Sequence, residues 1–105
     1  MFTVVETPAF SKLCGDYWTE DAREAFAAWI AADPEAGDVI PGSGGCRKVR
    51  WSRTGTGKRG GVRVIYYNQR ADGRIYLLLI YAKSSEDNVS ARILLKIKEA
   101  LHAHD

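Results

Sequence analysis

The sequence predicts an α+β domain in which helices pack on a small antiparallel sheet, in the order β-α-α-β-β-β-α. Three observations predict it. An amphipathic helical stripe occupies residues 22–30, three strand-like runs follow one another between residues 46 and 83, and a second helical stripe closes the chain at residues 89–102. Helices segregated from hairpin-linked strands define this class. With 105 residues, 46% of them hydrophobic and 27% charged, the chain supports one domain over residues 1–105 and one modest core.

Thr3–Glu6 is short and β-branched and reads as a first strand. Pro8–Tyr17 holds a short helix whose end is blurred by Cys14-Gly15-Asp16. Thr19 then caps a clearer helix, with Glu20, Asp21 and Glu24 placed to suit the positive end of its dipole. Ala22, Ala25, Phe26, Trp29 and Ile30 recur at helical spacing and form its buried stripe. Asp33-Pro34 stops it, because a residue before proline is steered away from the α region.

Gly37–Gly45 is a glycine-rich connector. The strand runs Arg47–Ser52, Gly61–Asn68 and Arg74–Ala82 follow. A long turn, Arg53–Gly60, joins the first two, and Ala71-Asp72-Gly73 marks a hairpin between the others. Ile75–Tyr81 is apolar on both faces, which predicts the central strand. Asn88 or Ser90 caps the last helix, and Val89, Ile93, Leu94, Ile97 and Leu101 pack it on the sheet.

Charge is unevenly distributed. Residues 1–38 hold two basic and eight acidic groups, residues 39–85 ten basic groups against Asp72 alone, and the last twenty residues three basic and four acidic, which together make the net +2. A basic field concentrated in the strand region points to a polyanion, of which nucleic acid is the commonest. Cys14 and Cys46 match no metal-ligand spacing; they are either buried thiols of a cytoplasmic protein or a lone disulfide. No basic, cleavable leader and no apolar run of membrane-spanning length is present, so a cytoplasmic protein without a membrane is expected.

Side chains alternate across a strand, which sorts the basic residues by face. Arg47, Val49 and Trp51 share one face; Lys48, Arg50 and Ser52 share the other. Lys48 and Arg50 either line a groove for a phosphate backbone or decorate a solvated face. Arg63 lies between Val62 and Val64, in line with Ile65 and Tyr67. It either snorkels to an edge or is held there for its planar, bidentate fork, which makes it the best single candidate. Tyr81 and Lys83 share a face at the end of the third run, and Tyr81 either acts chemically or closes the core. Gly55-Thr56-Gly57-Lys58 lacks the full spacing of a phosphate loop. Lys58 and Arg59, with Arg53, read instead as a basic hairpin tip.

Cutting RNA through its 2′-hydroxyl needs a base, a charge stabiliser and an acid. The two histidines, His102 and His104, lie at the end of the chain, and no carboxylate cluster accompanies the basic strands. A two-metal site is therefore not expected, nor any cofactor. Lysine and tyrosine remain as proton carriers, with neighbouring cations favouring their deprotonation.

The runs Gly44–Arg50, Gly57–Tyr67 and Ile75–Lys83 together resemble the RelE/ParE toxin superfamily, and within it the HigB-like branch of bacterial type II toxin–antitoxin systems. The resemblance implies a RelE-like fold and a ribosome-dependent endoribonuclease that cuts mRNA in the 30S A site, leaving a 2′,3′-cyclic phosphate and a 5′-hydroxyl. By position it implies that Lys48 and Arg50 are the basic pair before the long turn. Arg63 becomes the arginine that stabilises the phosphate, and Lys83 with Tyr81 further catalytic groups. Arg47, Arg53, Lys58 and Arg59 would add RNA contacts. It also implies a cognate antitoxin of the helix-turn-helix kind, with DNA reached only through it. Two departures stand out: Ser84 and Ser85 follow Lys83 where RelE has another basic residue, and residues 90–105 lack the usual tyrosine. The competing readings are a ParE-like gyrase inhibitor without nuclease activity and a non-catalytic nucleic-acid-binding module that stacks bases on Trp51, Tyr66 and Tyr67.

Overall fold

The computed structural model of the chain describes residues 2–51, 61–82 and 89–102. The elements are β1 (Thr3–Glu6), α1 (Pro8–Cys14), α2 (Glu20–Ala32), β2 (Asp38–Val39), β3 (Arg47–Trp51), β4 (Val62–Gln69), β5 (Arg74–Ala82) and α3 (Ala91–His102). The predicted α+β order holds. The sheet is larger and mixed: five strands in the order β1-β5-β4-β3-β2, with β1 parallel to β5 and the other pairs antiparallel. β2 lies inside the segment read from sequence as a plain connector.

The middle strand is β4, not the apolar β5 run expected there. β5 is nevertheless interior, and its two apolar faces serve two cores. Phe10, Phe26, Ile30, Val49, Val64, Tyr66, Ile75 and Leu77 fill the layer beneath α1 and α2. Cys46, Ile65, Leu78 and Leu94 form a smaller one beneath α3. Pairing of β4 with β5 shifts by one residue between Ile65 and Tyr66, passing over Leu78. This bulge puts Leu78 and Leu79 on the same side. Ile75 and Leu77 before it, and Ile80 after it, can then all face the first core.

Helix boundaries follow their caps. Thr19 accepts the Ala22 amide at 3.2 Å and starts α2; Asp33-Pro34 ends it. Thr7 caps α1 and also donates to the Leu77 carbonyl at 2.9 Å, tying that helix to β5. Ser90, one of the two predicted caps, accepts the amides of Arg92 and Ile93; Asn88 lies outside the described residues. Trp29, expected in the buried stripe of α2, keeps 37% of its surface exposed and packs at the layer's edge on Phe26 and Trp51. Cys14 and Cys46 are free, buried and in different cores on opposite faces of the sheet, so they cannot bridge. Burial pushes both thiols up from their ordinary value.

The segment leaving α2 is stitched down by Tyr66. Its hydroxyl donates to the Pro34 carbonyl and accepts the Gly37 amide, both at 2.8 Å, while Asn68 donates to the same Pro34 oxygen at 2.8 Å. Burial raises the Tyr66 pKa, so the neutral, donating form is kept. Gly37 has no alternative here, since a Cβ would stand 2.8 Å from the Lys48 carbonyl oxygen and 2.9 Å from the Tyr66 ring. Across the first layer, the Arg23 guanidinium binds Glu6, with Nε 2.7 Å from Oε2, and joins α2 to β1. That bond, opposed by partial burial, holds the Glu6 carboxyl below its ordinary 4.5.

Tyr66→Phe leaves the Gly37 amide without its acceptor and is expected to cost about 1–3 kcal/mol, read as a lower urea midpoint with an unchanged slope. Glu6 has a lowered pKa in the folded state, so its stabilisation is present above 4.5 and lost as pH falls through the lower folded value. Stability of the parent protein is therefore expected to drop below pH 4.5 more steeply than that of Arg23→Ala in parallel acid titrations followed by circular dichroism.

Candidate nucleic-acid interface

Register decides which basic side chains meet. β3 pairs with β4 and β4 with β5 so that Arg50 lies opposite Arg63, and Arg63 opposite Tyr81. Directly paired residues project to the same side of a sheet, roughly 5 Å apart. Val62 and Val64 point into the α1–α2 core while Ile65 and Tyr67 pack towards α3, so Arg63 projects on the α3 side. Arg50, Arg63 and Tyr81 thus form one transverse rung across three strands. Lys48, opposite Ile65, stands two residues along β3 on the same side.

The rung is graded in depth. Lys48 and Arg50 are exposed, Tyr81 is half-buried against the α3 core, and Arg63 is only 5% exposed. The Arg63 side chain is buried rather than reaching into solvent, which sets aside the snorkelling reading. Two guanidiniums directly across a strand pair repel each other, and a guanidinium taken out of water must be matched by hydrogen bonds or charge. Chemically the exposed Arg50 and Lys48 offer a planar donor fork and an ammonium to phosphate oxygens, with the buried Arg63 guanidinium and a phenol behind them.

The structure does not bring every sequence candidate to this face. Arg47 projects to the other side, where its guanidinium donates to the Gly37 carbonyl at 2.7 Å and clamps the chain entering β2. Arg53, Lys58, Arg59 and Lys83 lie outside the described residues. Base stacking on Tyr66 is ruled out by its complete burial and doubly engaged hydroxyl. Trp51 packs on the α1–α2 core, and Tyr67 on the other with the Lys98 ammonium 5.3 Å above its ring. The Arg50–Arg63 juxtaposition is not readable from sequence because the turn between β3 and β4 leaves the register unset. Alternation within each strand gives the faces but not the partners.

Among the described residues no three metal-ligating side chains come together, and no helix is long and apolar enough to cross a membrane.

No family model matches the chain. Its architecture is nevertheless shared with solved bacterial toxins. The similarity extends to E. coli RelE in the intact RelBE toxin–antitoxin complex, with a TM-score of 0.59 and 12% identity over 78% of this chain and 96% of the other. A double-mutant form of E. coli RelE in the free state gives a TM-score of 0.60 and 13% identity over 81% of this chain and 87% of the other. The chain therefore has an α+β toxin-type fold. It is in particular a RelE-like fold, as the resemblance implied.

Lys48→Ala and Arg50→Ala are each expected to weaken binding of a single-stranded RNA and to flatten its salt dependence. The slope of log K against log salt should fall by about 0.7 for each phosphate that is no longer neutralised. Arg47→Ala should leave that slope unchanged. Fluorescence anisotropy at several salt concentrations distinguishes the three.

Proposed function

We propose that this protein is the toxin of a bacterial type II toxin–antitoxin module, of the HigB-like kind, and a ribosome-dependent endoribonuclease that cuts translated mRNA in the 30S A site. The observation that carries the reading is the Arg50–Arg63–Tyr81 rung, with Lys48 beside it, on a RelE-like fold. The fold alone does not decide activity. The rung adds what the chemistry needs: fixed positive charge at a rigid position and groups able to carry protons.

In this mechanism the 2′-hydroxyl of the nucleotide before the cut gives up its proton, and its oxygen attacks the adjacent phosphorus. The new P–O2′ bond forms as the P–O5′ bond breaks, and the departing 5′-oxygen takes a proton. The products are a 2′,3′-cyclic phosphate and a 5′-hydroxyl. Arg63 stabilises the charge that builds on the non-bridging oxygens. Arg50 and Lys48 hold the phosphate backbone in register, and Tyr81, Lys48 and Lys83 are the groups for proton transfer. The balance of protons closes within these side chains, so the step needs neither metal nor cofactor. The protein acts in the cytoplasm. A helix-turn-helix antitoxin holds it inactive, and DNA is reached only through that partner.

Expression is expected to arrest growth, and Arg63→Ala to relieve the arrest with a loss of about 10²–10³ in cleavage rate, the range for removing one preorganised charge donor. A thermal melt of the variant separates lost chemistry from lost fold. Mapping of mRNA 5′ ends in expressing cells should show cuts confined to ribosome-occupied codons. Intact mRNA with accumulating gyrase–DNA breaks would sink the nuclease reading in favour of a ParE-like one.

A further inference from the structure

The chain enters β3 through a loop tied shut around Ser43. The buried Ser43 hydroxyl donates to the Ile40 carbonyl at 2.6 Å and accepts the Cys46 amide at 3.0 Å. The Ile40 amide donates to the Cys46 carbonyl at 2.8 Å. The turn takes positive φ at Gly42, Gly44 and Gly45, which glycine adopts without strain. α3 lies directly on it: a Cβ on Gly44 would stand 2.7 Å from Leu95 Cδ1 and 3.7 Å from the Lys98 ammonium. Gly44 and Gly45 are themselves exposed, and among the described residues no acceptor meets their amides.

Lys98 is thereby set at a defined place. Its Nζ sits 5.3 Å from the centre of the Tyr67 ring, and among the described residues it forms no ion pair. One step beyond the ladder pair of Arg47 with Tyr66, Cys46 comes level with Tyr67. Burial raises the Cys46 thiol, and the Ser43 hydrogen bond and the nearby Lys98 charge offset part of that. Lys48 and Arg50 follow Cys46 on the same face of β3, in steps of two residues or roughly 6.6 Å. Lys98, Lys48 and Arg50 thus make a row of three cations along one strand. Each step is about the span of one nucleotide in an extended RNA.

We propose that the Lys98 ammonium and the exposed Gly44–Gly45 backbone make a further phosphate subsite for single-stranded RNA, one nucleotide beyond Lys48 on the side away from Arg50. The lysine supplies a point charge, and the glycine backbone supplies amide donors with no side chain to hold a phosphate off. Tyr67 has a particular part in this. Its ring face attracts the ammonium and fixes it without neutralising it, whereas a carboxylate partner would cancel the charge. Asp38, paired with Lys48 across β2 and β3, sets a carboxylate on the outer flank of the row, which keeps an anionic strand on the α3 side. The subsite rests on the RNA-binding reading and adds a positioning contact to it; Lys98 takes no part in the proton transfers.

The test titrates a 2′-O-methyl tetrauridylate, which cannot be cut and whose phosphates equal the row's cations in number, into the full chain followed by amide NMR. The Gly44 and Gly45 amides of the parent should shift. Lys98→Met keeps the side-chain stem and removes the charge; it should lower the slope of log K against log salt by about 0.7, the value of one phosphate contact. Lys98→Arg should restore it. Tetrauridylates carrying one uncharged methylphosphonate then locate the contact. Each replacement should weaken binding to the parent. The weakening should vanish at one end phosphate in Lys98→Met and at the middle phosphate in Lys48→Ala. Unmoved glycine amides, an unchanged slope in Lys98→Met, or coupling of Lys98 to the middle phosphate overturns the subsite, while the Lys48 coupling keeps the RNA-binding reading. A parent that binds no tetrauridylate overturns both.

Discussion

β4 and β5 are paired along nearly their whole length and buried on both faces, and the rest of the molecule is arranged by that constraint. A strand with two dry faces needs a cover on each. α1 and α2 supply one and α3 the other. Because α3 is a single helix, its core is small, centred where Leu94 meets Cys46, Ile65 and Leu78. The same face of the sheet carries Arg63 and Tyr81 further along these strands, and Lys48 and Arg50 on the neighbouring β3. The rigid part of the sheet and the chemically interesting part are one structure, read at two positions along it.

Arg63 shows what that arrangement costs and gives. A nearly buried cation opposite a second cation is unfavourable by itself, and the side chain's own interactions together with a well-braced strand offset that. The bracing comes from the residues on either side: Val62 and Val64 anchor β4 in the larger core, and Ile65 anchors it in the smaller. A guanidinium held this way does not have to reorganise when charge develops nearby. Arg47, three residues before Arg50 and chemically identical to it, is committed instead to the carbonyls around Gly37. One step of strand parity separates a structural arginine from a candidate functional one.

Much of this was legible in the sequence. Local signals placed the strands and helices: the Thr19 cap, the Asp33-Pro34 stop, the Asp72-Gly73 hairpin and the alternation in β3. Those signals involve neighbours a few residues apart, and the structure follows them. What required the structure was long-range. Nothing local in Thr3–Glu6 says that it runs parallel to a strand 71 residues later. The bulge at Leu78 breaks the alternation in a run of four consecutive aliphatic residues, where hydrophobicity carries no phase. Trp29 fits the helical stripe yet sits at its edge, because the layer is only as wide as the sheet beneath it. The faces of Arg47, Lys48, Arg50, Arg63 and Tyr81 were readable from sequence. Its cross-strand partner was not.

The charge segregation along the chain becomes, in three dimensions, a separation in space. Glu20, Asp21, Glu24, Asp33, Glu35 and Asp38 are all exposed on and just after α2, while Lys48 and Arg50 are exposed on the opposite face of the sheet. Among the described residues, the exposed acids of α2 and these two exposed cations therefore lie on opposite sides of the sheet. Such a separation of charge would orient a body near a polyanion as well as attract it. Productive orientation is then partly settled during diffusion. The encounter rate, more than the final affinity, should respond to ionic strength.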